Sequence, residues 1–196
     1  MRFIQTGGYS MEITTVKDLM VPLEEYVTVS EEATLFEAVM ALEKAQEHLD
    51  RKRYHYLHRA VLVYDKNKKI VGKVSQLDAL RALEPKYGAL HDDESLSRTG
   101  FSPQFLKSML EKYALWDKPL KDVCGKAAKL KVKTFMYAPT AGEYIHESAS
   151  LEAAMHLLVM GRHQSLLVNR GDDIVGILRL TDVFMEIFRL MRICEL

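Results

Sequence analysis

Apolar residues recur at helical spacing in one stretch of each half of the chain. Thr34 and Ser150 precede these stretches, and their hydroxyls can accept hydrogen bonds from the free amides of a first helical turn. The apolar positions that follow are Leu35, Ala38, Val39 and Leu42 in the first half, and Leu151, Ala154, Met155 and Leu158 in the second. Each half therefore predicts an amphipathic helix that begins just after its hydroxyl residue.

The pattern changes to that of strands after each of these helices. Apolar runs at 60–64 and 165–169 are each followed by a polar turn and a second apolar run, at 70–74 and 174–178, which predicts two hairpins. Second helices are predicted over 76–83, where Pro85 ends the helix, and from 180 to about 191. With a short extended piece before each first helix, the order in each half is strand, helix, strand, strand, helix.

The two halves also match each other along the chain, which indicates an internal duplication. The matching segments are 16–20 with 120–124 at a separation of 104 residues, 29–35 with 145–151 at 116, 58–63 with 163–168 at 105, and 70–74 with 174–178 at 104. The changes in separation from one matching segment to the next predict about eleven extra residues between Leu42 and His58 in the first copy, and about twelve between Cys124 and Ile145 in the second.

The duplicated order of elements predicts an α/β (α+β) fold of two β-α-β-β-α repeats. A unit of this size buries too little surface to be stable alone, so we expect the copies to pack about a pseudo-twofold axis and form two equivalent clefts. The predicted organisation is an N-terminal tail at 1–15, whose leader at 1–11 is expected to be disordered, a first repeat at 16–83, a connector at 84–118 and a second repeat at 119–196. Ser102 and Pro103 are typical of a helix start, so the connector is expected to be partly helical.

Composition narrows the classes of partner. The 27 basic and 27 acidic residues give no net charge, so nothing global favours nucleic acid or an anionic membrane as a partner. Hydrophobic residues make up 48% of the chain, yet no apolar run approaches the ~18 residues of a membrane span. Cys124 and Cys194 lack disulfide or zinc spacing and favour a reducing, cytoplasmic location.

The sequence carries no signature of catalysis. It has no Gly-x-Ser-x-Gly, no Walker loop and no His-Glu-x-x-His, and neither cysteine lies in a recognisable nucleophile context. His48, His55 and His58 are spaced by seven and three residues without an acid in the right place, so no metal is predicted. We expect a protein that acts by binding and is not an enzyme.

Two short motifs recur at the same place in each repeat. The first repeat opens with Asp18-Leu19-Met20-x-Pro22, and its hairpin leads into the last helix through Gly72-x-x-Ser75-x-x-Asp78. The second repeat has Gly176-Ile177-Leu178-Arg179-Leu180-Thr181-Asp182 at the equivalent strand-to-helix step. On these residues the chain resembles a tandem pair of cystathionine-β-synthase (CBS) domains, a Bateman module, over about 16–83 and 119–191.

This resemblance implies that the clefts bind adenosine derivatives. Gly72 and Gly176 would allow close backbone approach, Ser75 would meet a phosphate at a helix start, and Asp78 would accept bonds from the ribose hydroxyls. The residues expected around the first cleft with Ser75 and Asp78 are Met20, Val21, Thr28, Arg59 and Ala60. Those expected around the second cleft with Arg179 and Asp182 are Cys124, Tyr144, Gln164 and Ser165.

Structural roles compete with the ligand roles at the same residues. Ser75 and Asp78 also fit a helix capping box, and Asp182 fits an early-helix acid favoured by the helix dipole. Arg179, which replaces the usual serine or threonine, either faces the cleft and binds phosphate or turns outward to pair with Asp172, Asp173 or another surface acid.

The insertion in the first repeat has two interpretations. Residues 50–59 include four basic side chains with histidine and tyrosine, which could clamp a triphosphate or contact nucleic acid. Alternatively, residues 43–56 lengthen the first helix and leave its charges in solvent, which we favour.

The favoured function is a regulatory sensor of AMP, ADP or ATP, with ligand occupancy shifting the packing between repeats or subunits. Alternatives are a sensor of S-adenosylmethionine or NAD, and a ligand-free interaction module that docks a partner through Val183, Ile187 and Leu190. An unidentified effector protein is expected in either case. A homodimer is expected because the last helix has more apolar residues than one face can bury: Val183, Phe184, Ile187, Phe188, Leu190 and Met191.

Overall fold

A computed structural model describes residues 3–6, 9–12, 14–50, 54, 56–84, 86–87, 102–116 and 122–193, with side chains from residue 14 onward. Part of the expected tail forms an antiparallel strand pair, β1 (Phe3–Thr6) and β2 (Tyr9–Glu12). Gly-Gly separates these strands in the sequence and is favoured in two-residue hairpin connections, a signal that the expectation of disorder overlooked.

The first repeat contains the predicted order of elements. Its elements are α1 (Val16–Leu19), β3 (Val21–Pro22), β4 (Thr28–Ser30), α2 (Leu35–Glu47), β5 (Ala60–Tyr64), β6 (Ile70–Ser75) and α3 (Gln76–Ala82). Thr34 caps α2 as expected, because its hydroxyl accepts from the Glu37 amide at 3.2 Å and the Glu37 carboxylate accepts from the Thr34 amide at 2.7 Å.

The second repeat has the same order after two connector helices. The connector contributes α4 (Pro103–Lys112) and α5 (Val123–Lys129), and Ser102 caps α4 as predicted. The repeat itself comprises β7 (Tyr144–His146), α6 (Leu151–Gly161), β8 (Ser165–Arg170), β9 (Asp173–Arg179) and α7 (Leu180–Ile193). The interpretation of the insertion as a helix continuing to residue 56 was wrong, because α2 ends at Glu47.

Each repeat builds its own sheet. The first sheet has the order β4-β5-β6 and the second β3-β9-β8-β7, with parallel β4–β5 and β7–β8 pairs and an antiparallel hairpin in each. Leu62 of β5 and Leu167 of β8 are both buried, and they meet in a core between the sheets together with Val21 and Ile177. Burial of each such side chain contributes about 1.5–3 kcal/mol, which holds the two repeats together.

The opening segments of the repeats are exchanged. β3 of the first repeat pairs with β9 of the second, and Tyr137 forms an antiparallel bridge to Lys73 in β6. The equivalent backbone bonds are Val16 amide to Ala149 carbonyl at 3.0 Å and Val132 amide to Ala33 carbonyl at 2.8 Å. Because Val132 stands 116 residues after Val16, the exchange obeys the pseudo-twofold relation that the duplication predicts.

This exchange corrects one alignment made from the sequence. The counterpart of 16–20 is 132–136, not 120–124, so the extra residues of the second copy precede Val132. Within 120–124, the described Cys124 lies in α5, which packs on α2, and is not near Asp182. The sequence similarity of 120–124 to 16–20 gave a wrong alignment because it carries no information about which strand a segment pairs with.

Gly72 and Gly176 serve the exchange. A Cβ on Gly176 would lie 2.6 Å from the Val21 carbonyl oxygen and 2.9 Å from the Met20 sulfur. A Cβ on Gly72 would lie 2.8 Å from the Met136 sulfur. The close approach that these glycines allow is therefore to the exchanged segments, where the resemblance implied an approach to ligand.

Candidate functional site

An open cleft of about 390 Å³ lies between the repeats. The starts of β5 and β8 reach it because equivalent backbone bonds tie them to the helix starts, Gln76 amide to Arg59 carbonyl at 3.1 Å and Leu180 amide to Gln164 carbonyl at 3.0 Å. The side chains that this cleft brings together include Arg59, Ala60, Lys73, Ser75, Asp78, Tyr137, Glu143, His163, Gln164 and Ser165. The cleft thus joins the Ser75–Asp78 pair of one repeat to the strand start of the other.

Ser75 and Asp78 form a complete capping box at one wall of the open cleft. The Asp78 carboxylate accepts from the Ser75 amide at 2.9 Å and from the Ser75 hydroxyl at 2.6 Å, and the Asp78 amide donates to that hydroxyl at 3.2 Å. These bonds use only Oδ2 of Asp78, whereas Oδ1 has an Arg81 guanidinium nitrogen 3.9 Å away. The capping role is present, and Asp78 lines the open cleft as well.

A buried ion pair stands at the inner end of the open cleft. The Lys73 ammonium donates to Oε2 of Glu143 at 2.6 Å, the Tyr137 hydroxyl donates to Oε1 at 2.5 Å, and Glu143 is 1% exposed. Burial raises the pKa of Glu143, but the bonds from Lys73, Tyr137 and the Thr140 amide outweigh it, so the pKa is lowered overall. The bond to Glu143 also raises the pKa of the Tyr137 phenol.

Sequence analysis missed this ion pair. Its pseudo-twofold counterparts are apolar, since Ile177 stands in the place of Lys73 and Val27 in the place of Glu143. The sequence did contain a signal: at each of these two positions one copy has an apolar residue, and the other copy has a lysine or a glutamate.

Protein side chains enter the second cleft without closing it, since a depression of about 720 Å³ remains beside Asp182. Arg179 is 5% exposed, and its guanidinium donates to both carboxylate oxygens of Asp182 at 2.6 Å. The same guanidinium contacts the Tyr56 carbonyl oxygen and Nδ1 of His58, each at 3.1 Å. Arg179 does not pair with Asp172 or Asp173, because Asp182 lies three residues along at the start of its own helix, and Arg179 also lines the open cleft.

Aromatic rings enclose this charged pair. The Arg179 guanidinium lies 5.3 Å from the centre of the Tyr54 ring, and the Tyr54 hydroxyl donates to Glu25 at 2.6 Å. Tyr26 packs edge-on against His58 at 4.4 Å and donates to the Ala60 carbonyl at 3.0 Å. Burial raises the pKa of Tyr26, so the phenol stays a hydrogen-bond donor. Tyr26, Tyr54 and His58 were not among the predicted site residues.

The expected grouping of lining residues changes accordingly. Gln164 and Ser165 face Ser75 and Asp78 in the open cleft, although they were assigned to Asp182. The other reassigned residues are Met20, which lies beside Asp182, Val21, which is fully buried against Ile177, and Thr28, which lies beside His58. Tyr144 is 36% exposed and does not line the open cleft. These changes follow from the packing of the repeats, because the starts of β5 and β8 stay bonded to their own repeat's helix and also border the cleft shared with the other repeat.

We expect protonation of His58 to make stability depend on pH. Burial, followed by the Arg179 charge, lowers its pKa from 6.5 to about 4. In the unfolded chain His58 therefore takes up a proton below pH 6.5, whereas in the folded chain it takes up this proton only near pH 4. Stability should therefore fall by up to about 1.4 kcal/mol per pH unit as the pH drops from 6.5 to 4, and should not change through this group above 6.5.

Urea unfolding between pH 4 and 8 measures this dependence. The matched control is His58→Asn, whose amide oxygen can accept from Arg179 but does not titrate, so its slope in the same window should be smaller by about one proton. Arg179, Asp182, Tyr26 and Tyr54 are the ionisable groups packed around His58. Equal slopes in the two proteins would contradict the buried neutral state of His58.

Other site classes are not seen in the described part of the chain. No group of three or more histidine, cysteine, aspartate or glutamate side chains there could hold a metal ion. Among the same residues, no helix is long and apolar enough to cross a membrane. Of the basic insertion, 51–53 and 55 lie outside the described residues.

Comparisons with known proteins agree with this architecture. The family model of the CBS domain matches residues 16–85 and 138–189. CBSX2 from Arabidopsis thaliana, solved in complex with AMP, is similar with a TM-score of 0.56 and 20% identity over 89% of this chain and 97% of that one. No curated protein sequence matches the chain.

Two bacterial structures are similar to a comparable degree. The CBS domain of a CBS domain containing membrane protein from Sphaerobacter thermophilus has a TM-score of 0.56 and 20% identity over 88% of this chain and 87% of that one. The CBS domains of a transcriptional regulator from Streptococcus pneumoniae have a TM-score of 0.53 and 13% identity over 89% and 99%. At such identities the likeness shows the fold, and the family model covers both repeats; the chain belongs to the CBS domain family, as a tandem pair.

Proposed function

We propose that this CBS pair is a regulatory module that binds an adenine nucleotide in the open cleft and acts by binding, without catalysis. The observation that carries the proposal is the open cleft itself, in which Ser75 and Asp78 face Gln164 and Ser165 across the repeats. Its volume of about 390 Å³ lies within the range of small-molecule sites. CBSX2, which has the same fold, was solved with AMP.

The chemistry of the open cleft suits a nucleotide. Oδ1 of Asp78 can accept from ribose hydroxyls, and the exposed guanidinium groups of Arg59 and Arg162 stand at the cleft for a phosphate. Ala60 and Ser165, at the starts of β5 and β8, offer small side chains against which a base can lie. Arg179 also lines the open cleft, but its guanidinium is engaged with Asp182, which lies outside the lining of that cleft.

Titration with AMP tests the proposal. We expect micromolar affinity, and we expect Asp78→Ala to weaken it by about 1.5–3 kcal/mol, roughly 10- to 150-fold, because a hydrogen bond to a charged group is lost. Calorimetry measures the affinity, and circular dichroism checks the fold because the cap is lost as well. The matched control is Asp172→Ala, an exposed acid on the β8–β9 turn, which should not change affinity. A folded Asp78→Ala protein with unchanged affinity would restrict Asp78 to capping.

A thermal-shift screen identifies the ligand. AMP, ADP, ATP, S-adenosylmethionine and NAD are compared, and a ligand present at 100 times its dissociation constant should add about 2.7 kcal/mol. A cleft that responds to none of them would favour the second candidate, an interaction module that contacts an effector protein through its exposed apolar helices.

We also propose that the chain forms a homodimer through these helices. Val183 is buried and Ile187 and Leu190 pack on the core, so the described apolar side chains that α7 exposes are Leu180, Phe184, Phe188 and Met191. Leu80 of α3 is 60% exposed, and its counterpart Phe184 is 61% exposed, so both repeats present an apolar face. Light scattering at tens of micromolar should give a dimer, and Leu80→Glu with Phe184→Glu should give a monomer. A wild-type monomer, with and without nucleotide, would contradict the dimer.

A further inference from the structure

The two clefts differ because of the insertion in the first repeat. In the second repeat, α6 ends at Gly161 and β8 begins at Ser165, so three residues connect them. In the first repeat, α2 ends at Glu47 and β5 begins at Ala60, so twelve residues connect them. The longer connection therefore adds side chains to one of the two pseudo-twofold related clefts and not to the other.

The ring of Tyr54 occupies the space that is open in the other cleft. Tyr54 is 8% exposed and forms a wall of two separate depressions. One depression, of about 720 Å³, also contacts Met20 and Asp182, and the other, of about 540 Å³, also contacts Thr28 and His58. Met20 and Asp182 are the counterparts of Met136, beside Gly72, and of Asp78 in the open cleft. Tyr54 is therefore a wall that the two depressions share.

Arg179 anchors this occupant. Its guanidinium holds the Tyr56 carbonyl oxygen and His58, lies against the Tyr54 ring, and neutralises Asp182 with two short bonds. The counterpart of Arg179 in the open cleft is Ser75, which is too short to make any of these contacts. Both carboxylate oxygens of Asp182 therefore accept hydrogen bonds from Arg179, whereas Oδ1 of Asp78 accepts none within its capping box.

We propose that Tyr54, Tyr56 and His58 are a built-in occupant of the second cleft, anchored by Arg179, so that each chain binds one adenine nucleotide instead of two. The identity of the ligand rests on the proposed function, but the occupancy of the cleft by the chain's own residues does not. Removal of the occupant uncovers a latent second site in which Asp182 takes the role of Asp78.

Binding stoichiometry provides the first test. Calorimetry of the wild type with AMP should give about one site per chain, and Asp78→Ala should weaken that site without revealing another. The variant Arg179→Ser with Tyr54→Ala restores the serine of the open cleft and removes the ring, and it should bind about two. Tyr54→Ala alone is the milder variant if the double variant does not fold. The control is Arg170→Ser, a surface arginine paired with Glu147, which should keep one site. Two sites in the wild type, or one site in folded opened variants, would overturn the proposal.

A ligand-free measurement separates this proposal from the nucleotide proposal. Diethyl pyrocarbonate modifies accessible neutral histidines, and mass spectrometry locates the label. His58 is 1% exposed, so at pH 7.5 it should be labelled at least about tenfold more slowly than the exposed His48, and at a rate similar to His48 in the opened variant. Equal rates in the wild type would overturn the occupied cleft. Slow labelling together with no binding of any nucleotide would refute the proposed function and support the occupied cleft.

Discussion

Asp182→Ala should lower the free energy of unfolding by about 3–5 kcal/mol, because it leaves the buried Arg179 guanidinium without its counter-charge. The side chains of Arg179 and Asp182 are 7% and 15% exposed, and both of their bonds are 2.6 Å long, so water replaces the lost carboxylate poorly. The loss should also loosen the contacts of Arg179 with the Tyr56 carbonyl and His58, which tie the insertion to the second repeat.

The duplication supplies the control for this prediction. Asp78→Ala is the same substitution at the pseudo-twofold position, where only a helix capping box is lost, so it should cost about 1 kcal/mol. Urea unfolding of the two variants beside the wild type measures both values. Similar losses in the two variants would mean that Asp182, like Asp78, merely caps its helix.

The element order was predictable because local periodicity determines it. The helical spacing after Thr34 and Ser150 and the two hairpins each depend on residues close together in sequence, and all four features are present. The insertion between Leu42 and His58 was predictable for the same reason, since a shift in the repeat separation needs no knowledge of packing.

The exchange of opening segments was not predictable from the same pattern. Val16 bonds to Ala149 and Val132 to Ala33, and these pairings join residues 133 and 99 positions apart that periodicity does not relate. The wrong grouping of cleft residues arose because Gln164 and Ser165 were kept with the aspartate of their own repeat, whereas the cleft between the repeats brings them to Ser75 and Asp78. At the site, the motif identified Ser75 and Asp78, but Arg179 departed from the motif, and two of its contacts, Tyr54 and Tyr56, lay in an insertion without a counterpart.

Lys73→Met should also be strongly destabilising, by about 3–5 kcal/mol, because it leaves the Glu143 carboxylate buried without its counter-charge. The other copy has an apolar pair at the equivalent positions, since Ile177 corresponds to Lys73 and Val27 corresponds to Glu143. The double variant Lys73→Ile with Glu143→Val removes both charges together and should recover most of the lost stability.

This comparison separates stability from function at the open cleft. If the double variant is as stable as the wild type, the fold does not require the ion pair. Its position in the lining of the open cleft then indicates that it contributes to ligand binding. We then expect the double variant to bind AMP more weakly than the wild type in calorimetry, since the ammonium and the Tyr137–Glu143 bond no longer order that wall. A double variant as unstable as Lys73→Met would instead make the ion pair a structural element of the exchanged segment.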